Sequence, residues 1–162
     1  AKADEKAPDY LVQAAMMRLF TGFVQWPSQP PVINVCVLGD SKITSSQPLL
    51  KLYEKPPAAG ISLALQEITD WKNAAKNCQV LFLDVSEEGK VSEIIAGLKD
   101  YPVLTVSNME NFASAGGMIA FISEDTGDGK NVIRYIVNRS KIKAAGIAIT
   151  NPEILAKAKN IL

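Results

Sequence analysis

The sequence contains no histidine, and this absence excludes several kinds of catalytic and metal site. A Ser-His-Asp triad, a Cys-His dyad and an imidazole-ligated metal all need a histidine ring. The two cysteines cannot by themselves complete the usual four-ligand zinc site. Only carboxylate, lysine or tyrosine chemistry remains for catalysis. The composition therefore favours a binding or structural role over an enzyme, and we expect no catalytic residue, no metal and no cofactor.

The chain also lacks an excess of charge of either sign and lacks long apolar runs. Its 17 Lys and Arg residues balance 17 Asp and Glu residues, which leaves no basic footprint for nucleic acid. No apolar run reaches the roughly 18 residues that span a bilayer, so we expect no membrane insertion. The chain has 162 residues, 48% of them hydrophobic, which is typical of a folded protein with one domain. We predict a disordered segment over residues 1–8 and a single domain over 9–162.

Apolar runs and helical patterns alternate along the first two thirds of the chain. Apolar residues at three- and four-residue spacing predict a helix that starts at Asp9 and is stopped by Pro27. Buried strands are predicted at 32–38, 61–65, 80–83 and 102–106, with helical patterns at 49–53, 68–75 and 91–98. Strands that are apolar on both faces and alternate with helices are typical of a parallel sheet covered on both sides.

The last third of the chain predicts a β-hairpin and two further helices. Turn-forming residues 125–129 separate apolar runs at 118–122 and 132–137. Asn138 is a candidate cap for the next helix, and a terminal helix is predicted over 151–162. The predicted fold class is therefore α/β: a three-layer sandwich with helices on both faces. Its mixed, mostly parallel sheet has about six strands and an antiparallel hairpin at one edge.

Both cysteines lie at predicted strands. Cys36 is inside the first buried strand, and Cys78 stands just before the third. These strands are often neighbours in a doubly wound sheet, so a disulfide is geometrically possible and would stabilise the fold by about 4 kcal/mol. The alternative is two separate buried thiols that pack as small hydrophobes. Spacing alone leaves both alternatives open, because a disulfide also requires an oxidising compartment.

Three surface features are candidates for binding. Trp26 beside the proline-rich bend is expected near the surface, where tryptophan is typical of interfaces. The outer strand of the hairpin would offer unpaired backbone groups to another chain. Gly39 and Asp40 follow the first strand, where α/β sheets bind ligands, although the glycine pattern of a dinucleotide site is missing. A cleft near Gly39 and Ser107 is therefore the candidate small-molecule site.

Five segments, in this order, resemble the YfiR-like family of bacterial periplasmic proteins. They cover nearly the whole chain, and the most specific of them passes through residues 116–119. The segments are LFTGFVQWP (19–27), VCVLGD (35–40), NCQVLFLDVS (77–86), PVLTVSNMENFASAGGMIAF (102–121) and IRYIVNRSKIKAAGIAIT (133–150).

The resemblance implies an α/β sandwich around a mixed sheet, a homodimer, and export to the periplasm. Residue 1 would then be the processed start of a chain whose signal peptide has been removed. In that compartment the resemblance implies a Cys36–Cys78 disulfide, because both cysteines fall at family positions. Ile136 and Ala120 depart from the family pattern, which often has an acidic residue and an asparagine there. Only one cysteine pair is present, whereas some members have two.

The activity implied by the resemblance is binding and not catalysis. Members of the family repress a membrane diguanylate cyclase by binding its periplasmic sensor part, which lowers cyclic-di-GMP and biofilm signalling. Glu124, Ile133 and Arg134 fall roughly where the family's partner-binding surface is placed, and Trp26 is added as a candidate from its position. The alternative is a periplasmic small-molecule binding or sensing domain that uses the cleft near Gly39.

Overall fold

The computed structural model describes residues 8–162. The helices in this range are α1 (Asp9–Phe23), α2 (Gln47–Tyr53), α3 (Ala74–Asn77), α4 (Val91–Leu98), α5 (Arg139–Ala144) and α6 (Glu153–Ala156). The strands are β1 (Val24–Gln25), β2 (Val32–Leu38), β3 (Ser62–Ile68), β4 (Val80–Leu83), β5 (Leu104–Ser107), β6 (Ile119–Asp125), β7 (Asn131–Val137), β8 (Ala148–Ile149) and β9 (Asn160–Ile161). The predicted disordered segment, residues 1–8, lies outside the described residues except for Pro8.

Seven strands form one sheet in the order β3-β2-β4-β5-β6-β7-β9. All neighbours are parallel except β6 and β7, which form the antiparallel hairpin. Every residue of β4 and β5 is buried, because helices cover both faces of the central strands. The prediction of a mixed, mostly parallel α/β sandwich is confirmed. The sheet has seven strands instead of about six, because residues 160–161, which the sequence pattern places in the terminal helix, form β9.

The strand register divides the core between the two faces of the sheet. Val35, Val80 and Leu104 align across β2, β4 and β5 and belong to the core on the α1 side. The next residues along, Cys36 and Leu81, belong to the core on the opposite side, which α3 and α4 cover. Each central strand therefore contributes apolar side chains to both faces, as the uninterrupted apolar runs predict.

Four aromatic side chains join α1 to the sheet and to α2. The Phe20 ring lies 6.0 Å from the Phe121 ring and 5.0 Å from the Tyr135 ring, in edge contact with the latter. The buried Tyr53 hydroxyl donates a 2.6 Å hydrogen bond to the Ala14 carbonyl oxygen. Burial raises the pKa of the Tyr53 hydroxyl far above its ordinary value. Tyr53 therefore stays neutral and acts as a structural donor.

Helix α1 ends earlier than Pro27, and Trp26 is not at the surface. The backbone becomes extended at Val24, and β1 pairs with β8. Trp26 is only 3% exposed, and its indole N–H donates a 3.0 Å hydrogen bond to the Gln79 carbonyl oxygen. A large apolar ring whose one polar atom has a partner is stable when buried. The prediction that Trp26 lies near the surface is wrong.

The helix predicted over 68–75 is also wrong in extent. Ile68 is the last residue of β3, because all seven residues of β3 pair with β2. A 3₁₀ turn follows at Trp71–Asn73, where the Asp70 side chain accepts the Lys72 backbone N–H. Helix α3 then covers Ala74–Asn77 only. Local helical spacing here gave way to pairing with a neighbouring strand.

The terminal helix predicted over 151–162 is a single turn followed by a strand. Helix α6 ends at Ala156, and β9 then pairs with β7. The Lys159 N–H donates to the Tyr135 carbonyl oxygen at 2.8 Å, and the Leu162 N–H donates to Val137 at 2.7 Å. The prediction that the hairpin's outer strand is an open edge is therefore wrong for this part of β7.

A disulfide joins Cys36 to Cys78, with 6.0 Å between their Cα atoms. It links β2 to Cys78, which lies between α3 and β4. Strand β4 is itself paired with β2. Cys36 is fully buried and Cys78 is 4% exposed. The implied disulfide is confirmed, and the alternative of two separate thiols is wrong.

We predict that the Cys36→Ala/Cys78→Ala double variant loses about 4 kcal/mol of unfolding free energy. The bridge closes a sequence separation of 42 residues, and its loss restores chain entropy to the unfolded state. Urea unfolding followed by circular dichroism measures the difference. Reductant should lower the stability of the wild-type chain and leave the double variant unchanged. Equal unfolding free energies for the two oxidised proteins would contradict the assignment of a stabilising bridge.

Gly117 is packed too closely for any side chain. A Cβ atom there would lie 2.2 Å from Cε2 of Phe112, whose ring is 1% exposed. We predict that Gly117→Ala destabilises the fold by about 1–3 kcal/mol, because a buried ring must move. Gly89→Ala is the matched control, since a Cβ there has nothing within 4 Å. Similar melting temperatures for the two variants would contradict this packing.

Candidate functional site

The hairpin of β6 and β7 emerges from the core part-way along its length. Ile119 and Phe121 of β6 are buried, whereas Ser123 and Asp125 are exposed. The partner strand follows the same trend, and Val132, near its start, is 42% exposed. The far half of the hairpin is thus held by strand pairing and has a large accessible surface.

Glu124 and Arg134 lie together on one face of this far half. Ile122 pairs with Arg134, and Glu124 pairs with Val132, so all four side chains share a face of the sheet. The Arg134 Nη1 lies 3.5 Å from the Glu124 Oε1. Lys159, which precedes β9, donates a hydrogen bond to the other oxygen of Glu124. Glu124, Arg134 and Lys159 are hereafter the charged cluster.

The charged cluster is accessible and carries one positive charge in excess. The side chains of Glu124, Arg134 and Lys159 are 32%, 39% and 45% exposed. The hydrogen bond from Lys159 lowers the pKa of the Glu124 carboxyl below its ordinary value, and the charges of Lys159 and Arg134 add to this effect. Partial desolvation opposes them. The carboxylate is therefore ionised at neutral pH and orients both cations.

Apolar side chains surround the charged cluster on the same face. Ile122 and Ile136 are partly buried, and Val132, nearer the hairpin turn on the same face, is exposed. This mixture of apolar area with oriented charges is the composition of a protein interface. Ile136 adds to the apolar part. Ile122, Val132 and Ile136 together with the charged cluster are hereafter the hairpin face.

The structure separates the other two predicted partner-binding residues from the hairpin face. Ile133 pairs with Ser123 on the opposite face of the hairpin and is 9% exposed. Its side chain belongs to the core on the α1 side. Trp26 is buried in the same core. Of the four predicted residues, only Glu124 and Arg134 come together at an accessible place.

Lys159 is the member of the charged cluster that sequence reasoning missed. The sequence pattern over 151–162 predicts one helix, which would place Lys159 away from the sheet. Only the parallel pairing of β9 with β7 brings it beside Glu124. The one signal in the sequence is the apolar pair Ile161–Leu162 at the end of a lysine-rich segment, which is too short to predict a strand.

The cleft at the carboxyl ends of the strands does not bring Gly39 and Ser107 together. A cavity of about 360 Å³ lies beside Gly39, Asp40 and Glu87, without Ser107 in its lining. Ser107 is fully buried. Its hydroxyl donates to the Leu83 carbonyl oxygen at 2.6 Å and accepts the Met109 N–H at 3.1 Å. That hydroxyl therefore bonds to the backbone at the carboxyl ends of β4 and β5 and does not face a ligand.

Asp84, which follows β4, also forms hydrogen bonds that fix the loops at this end of the strands. Its carboxylate accepts the Ser86 N–H and the Asn108 side-chain N–H, each at 3.0 Å.

Across residues 8–162, no three His, Cys, Asp or Glu side chains are grouped to hold a metal ion. In the same range, no helix is both long and apolar enough to cross a membrane.

Two solved structures share the fold at low sequence identity. One is a conserved domain protein from Vibrio cholerae O1 biovar El Tor N16961, with a TM-score of 0.63, 13% identity and 95% of this chain covered. The other is an ABC domain from Streptococcus pneumonia in complex with L-Trp, with a TM-score of 0.60, 11% identity and 94% covered. This chain spans 60% and 62% of those chains. Such identities show similarity of fold alone.

The sequence also matches a family model described as YfiR/HmsC-like. The match runs over residues 10–158, from the first turn of α1 to the residue before Lys159. It includes the disulfide, both faces of the core and the whole hairpin. The resemblance seen in the five sequence segments is thereby confirmed. The chain belongs to the YfiR/HmsC-like family.

Proposed function

We propose that this protein is a non-enzymatic periplasmic regulator that represses a membrane diguanylate cyclase. It binds the cyclase's periplasmic sensor part and lowers cyclic-di-GMP synthesis in the cytoplasm. Membership of the YfiR/HmsC-like family over residues 10–158 is the observation that carries this proposal. The Cys36–Cys78 disulfide agrees with it, because such bonds persist in oxidising compartments such as the periplasm. Homodimer formation, which the family implies, stays a prediction.

The hairpin face is the surface that we assign to the cyclase sensor. Its apolar side chains supply area to bury, and the charged cluster supplies orientation. Glu124 holds Arg134 and Lys159 in place before a partner arrives, so less side-chain entropy is lost on binding. The excess positive charge fits a sensor surface that presents a carboxylate beside an apolar patch.

Repression follows from a difference in affinity between two sensor conformations. If the protein binds the inactive conformation more tightly, it shifts the sensor's equilibrium by that difference and by no more. A shift from mostly active to mostly inactive requires a preference of about 10⁴-fold. Buried apolar contacts with oriented ion pairs supply a preference of this kind when the active conformation moves them out of register.

The alternative, small-molecule sensing at the cleft near Gly39 and Ser107, has weaker support. The neighbour with bound L-Trp shares the fold at only 11% identity. The Ser107 hydroxyl is fully buried and already paired with backbone groups. Binding of a ligand there would require these bonds to break. We therefore assign the function to the hairpin face.

We predict that Arg134→Glu lowers affinity for the cyclase sensor domain at least tenfold. The substitution puts two carboxylates beside each other and reverses the charge offered to the partner. Lys157→Glu is the matched control, because Lys157 is 71% exposed and lies outside the charged cluster. Biolayer interferometry with immobilised sensor domain measures both variants, with melting temperature as the test of folding. Equal affinities for Arg134→Glu and wild type would remove Arg134 from the surface.

A pH titration tests whether the charged cluster is formed in solution. Because the Lys159 hydrogen bond lowers the Glu124 pKa, the cluster stabilises the fold above the ordinary glutamate pKa of about 4.3. That contribution is lost as the pH falls through the lower pKa of the folded state. We predict an NMR titration midpoint for Glu124 below 4.3, and a higher midpoint in Lys159→Gln. A wild-type midpoint at or above 4.3, or no change in the variant, would contradict the cluster.

A further inference from the structure

We propose that a cavity between α4, β5 and α5 binds a small carboxylate with an aliphatic body. The cavity has a volume of about 260 Å³. It lies on the side of the sheet covered by α4, at the amino end of β5, and is separate from both the hairpin face and the cleft at Gly39. The inference does not rest on the proposed function, since neither of those surfaces takes part in it.

The floor of the cavity is built from aliphatic and thioether side chains. Leu98 at the end of α4, Val103 before β5 and Met118 before β6 form it, and they are 4%, 1% and 8% exposed. Ile95 adds a wall from the preceding turn of α4. No aromatic ring lines the cavity among the described residues. An alkyl chain, which packs against such groups by dispersion, fits this floor better than a polar or ring-shaped ligand.

The polar groups on the floor are already used. Thr105 Oγ1 accepts the Met118 backbone N–H at 3.1 Å. Among residues 8–162, no buried side-chain nitrogen or oxygen atom lacks a hydrogen-bond partner. The interior of the cavity therefore favours a ligand whose body is apolar. Gly116 contributes backbone without a side chain, and a Cβ there would stand 3.3 Å from Cγ2 of Ile95.

Two lysines line the mouth. Lys99 follows the last residue of α4, and Lys141 lies in α5. Neither ammonium group forms an ion pair with another residue of the described chain. Asp100 also lines the cavity, which leaves one positive charge in excess. An anionic head placed between two ammonium groups gains charge-assisted hydrogen bonds, so the ligand's polar end is a carboxylate.

The size of the cavity limits the ligand. Sites for drug-sized molecules are about 300–1,000 Å³, and this cavity is slightly smaller. It therefore takes a medium-length alkyl carboxylate and excludes a folded segment of another protein. Octanoate is the probe, because its chain reaches the floor while its head stays at the lysines.

Isothermal titration of the whole chain with octanoate tests the proposal. We expect one saturable site, and binding of octylammonium at least tenfold weaker because its head repels Lys99 and Lys141. Lys99→Gln/Lys141→Gln should weaken octanoate binding about tenfold, which is the loss of one charge-assisted contact or more. Lys143→Gln is the matched control, because Lys143 is an exposed lysine of the same helix that does not line the cavity.

A second variant keeps the test independent of charge. Ala144 is exposed at the mouth, so Ala144→Phe places a ring in the opening without disturbing the core. We expect octanoate binding to be lost while the melting temperature stays within a few degrees of wild type. The proposal is overturned if octanoate does not saturate a site, if octylammonium binds as tightly, or if Lys143→Gln weakens binding as much as the double variant.

Discussion

The two faces of the sheet are covered to different extents, and the accessible surface of the molecule follows from this. On one face, α1 lies over the sheet and reaches Phe121 and Tyr135 of the hairpin through the Phe20 ring. On the other face, α3 and α4 cover β2, β4 and β5, and the packing ends at Ala120 and Ile136. Beyond that point, the side chains on the second face of the hairpin are half-buried or exposed, and none of them is fully buried by the described part of the chain. The charged cluster stands on this uncovered part.

The C-terminal strand completes the same arrangement. Because β9 pairs with Ile136 and Val137 at the end of β7, it covers the inner part of the edge that the hairpin would otherwise expose. It also delivers Lys159 to Glu124. Strand addition is thus blocked at Ile136 and Val137, whereas Val132, Ile133 and Arg134 have no strand on their outer side among the described residues.

Much of the fold was predictable because its strands are apolar on both faces. The runs at 32–38 and 80–83 and the hairpin turn at 125–129 have signals that depend only on local sequence. The helix predicted over 151–162 is wrong because β9 pairs with β7, a contact between distant parts of the chain. The spacing of apolar residues within the segment contains no information about such a contact. The surface position predicted for Trp26 is wrong for a similar reason, since the partner of its buried indole N–H is Gln79, 53 residues away. Strand periodicity predicts one part of the site, namely that Ile133 and Arg134 cannot share one surface. They are consecutive in a strand and must point to opposite faces.

We propose that this chain acts as a regulator by binding its partner through the hairpin face. Hydrogen–deuterium exchange with and without the cyclase's periplasmic sensor domain tests that claim most directly, because it reports every backbone amide at once. We expect added protection to be concentrated in residues 119–137 and 159–162. Protection confined to the loops around Gly39 and Asp84, which follow β2 and β4, or no protection at saturating sensor domain, would contradict this proposal.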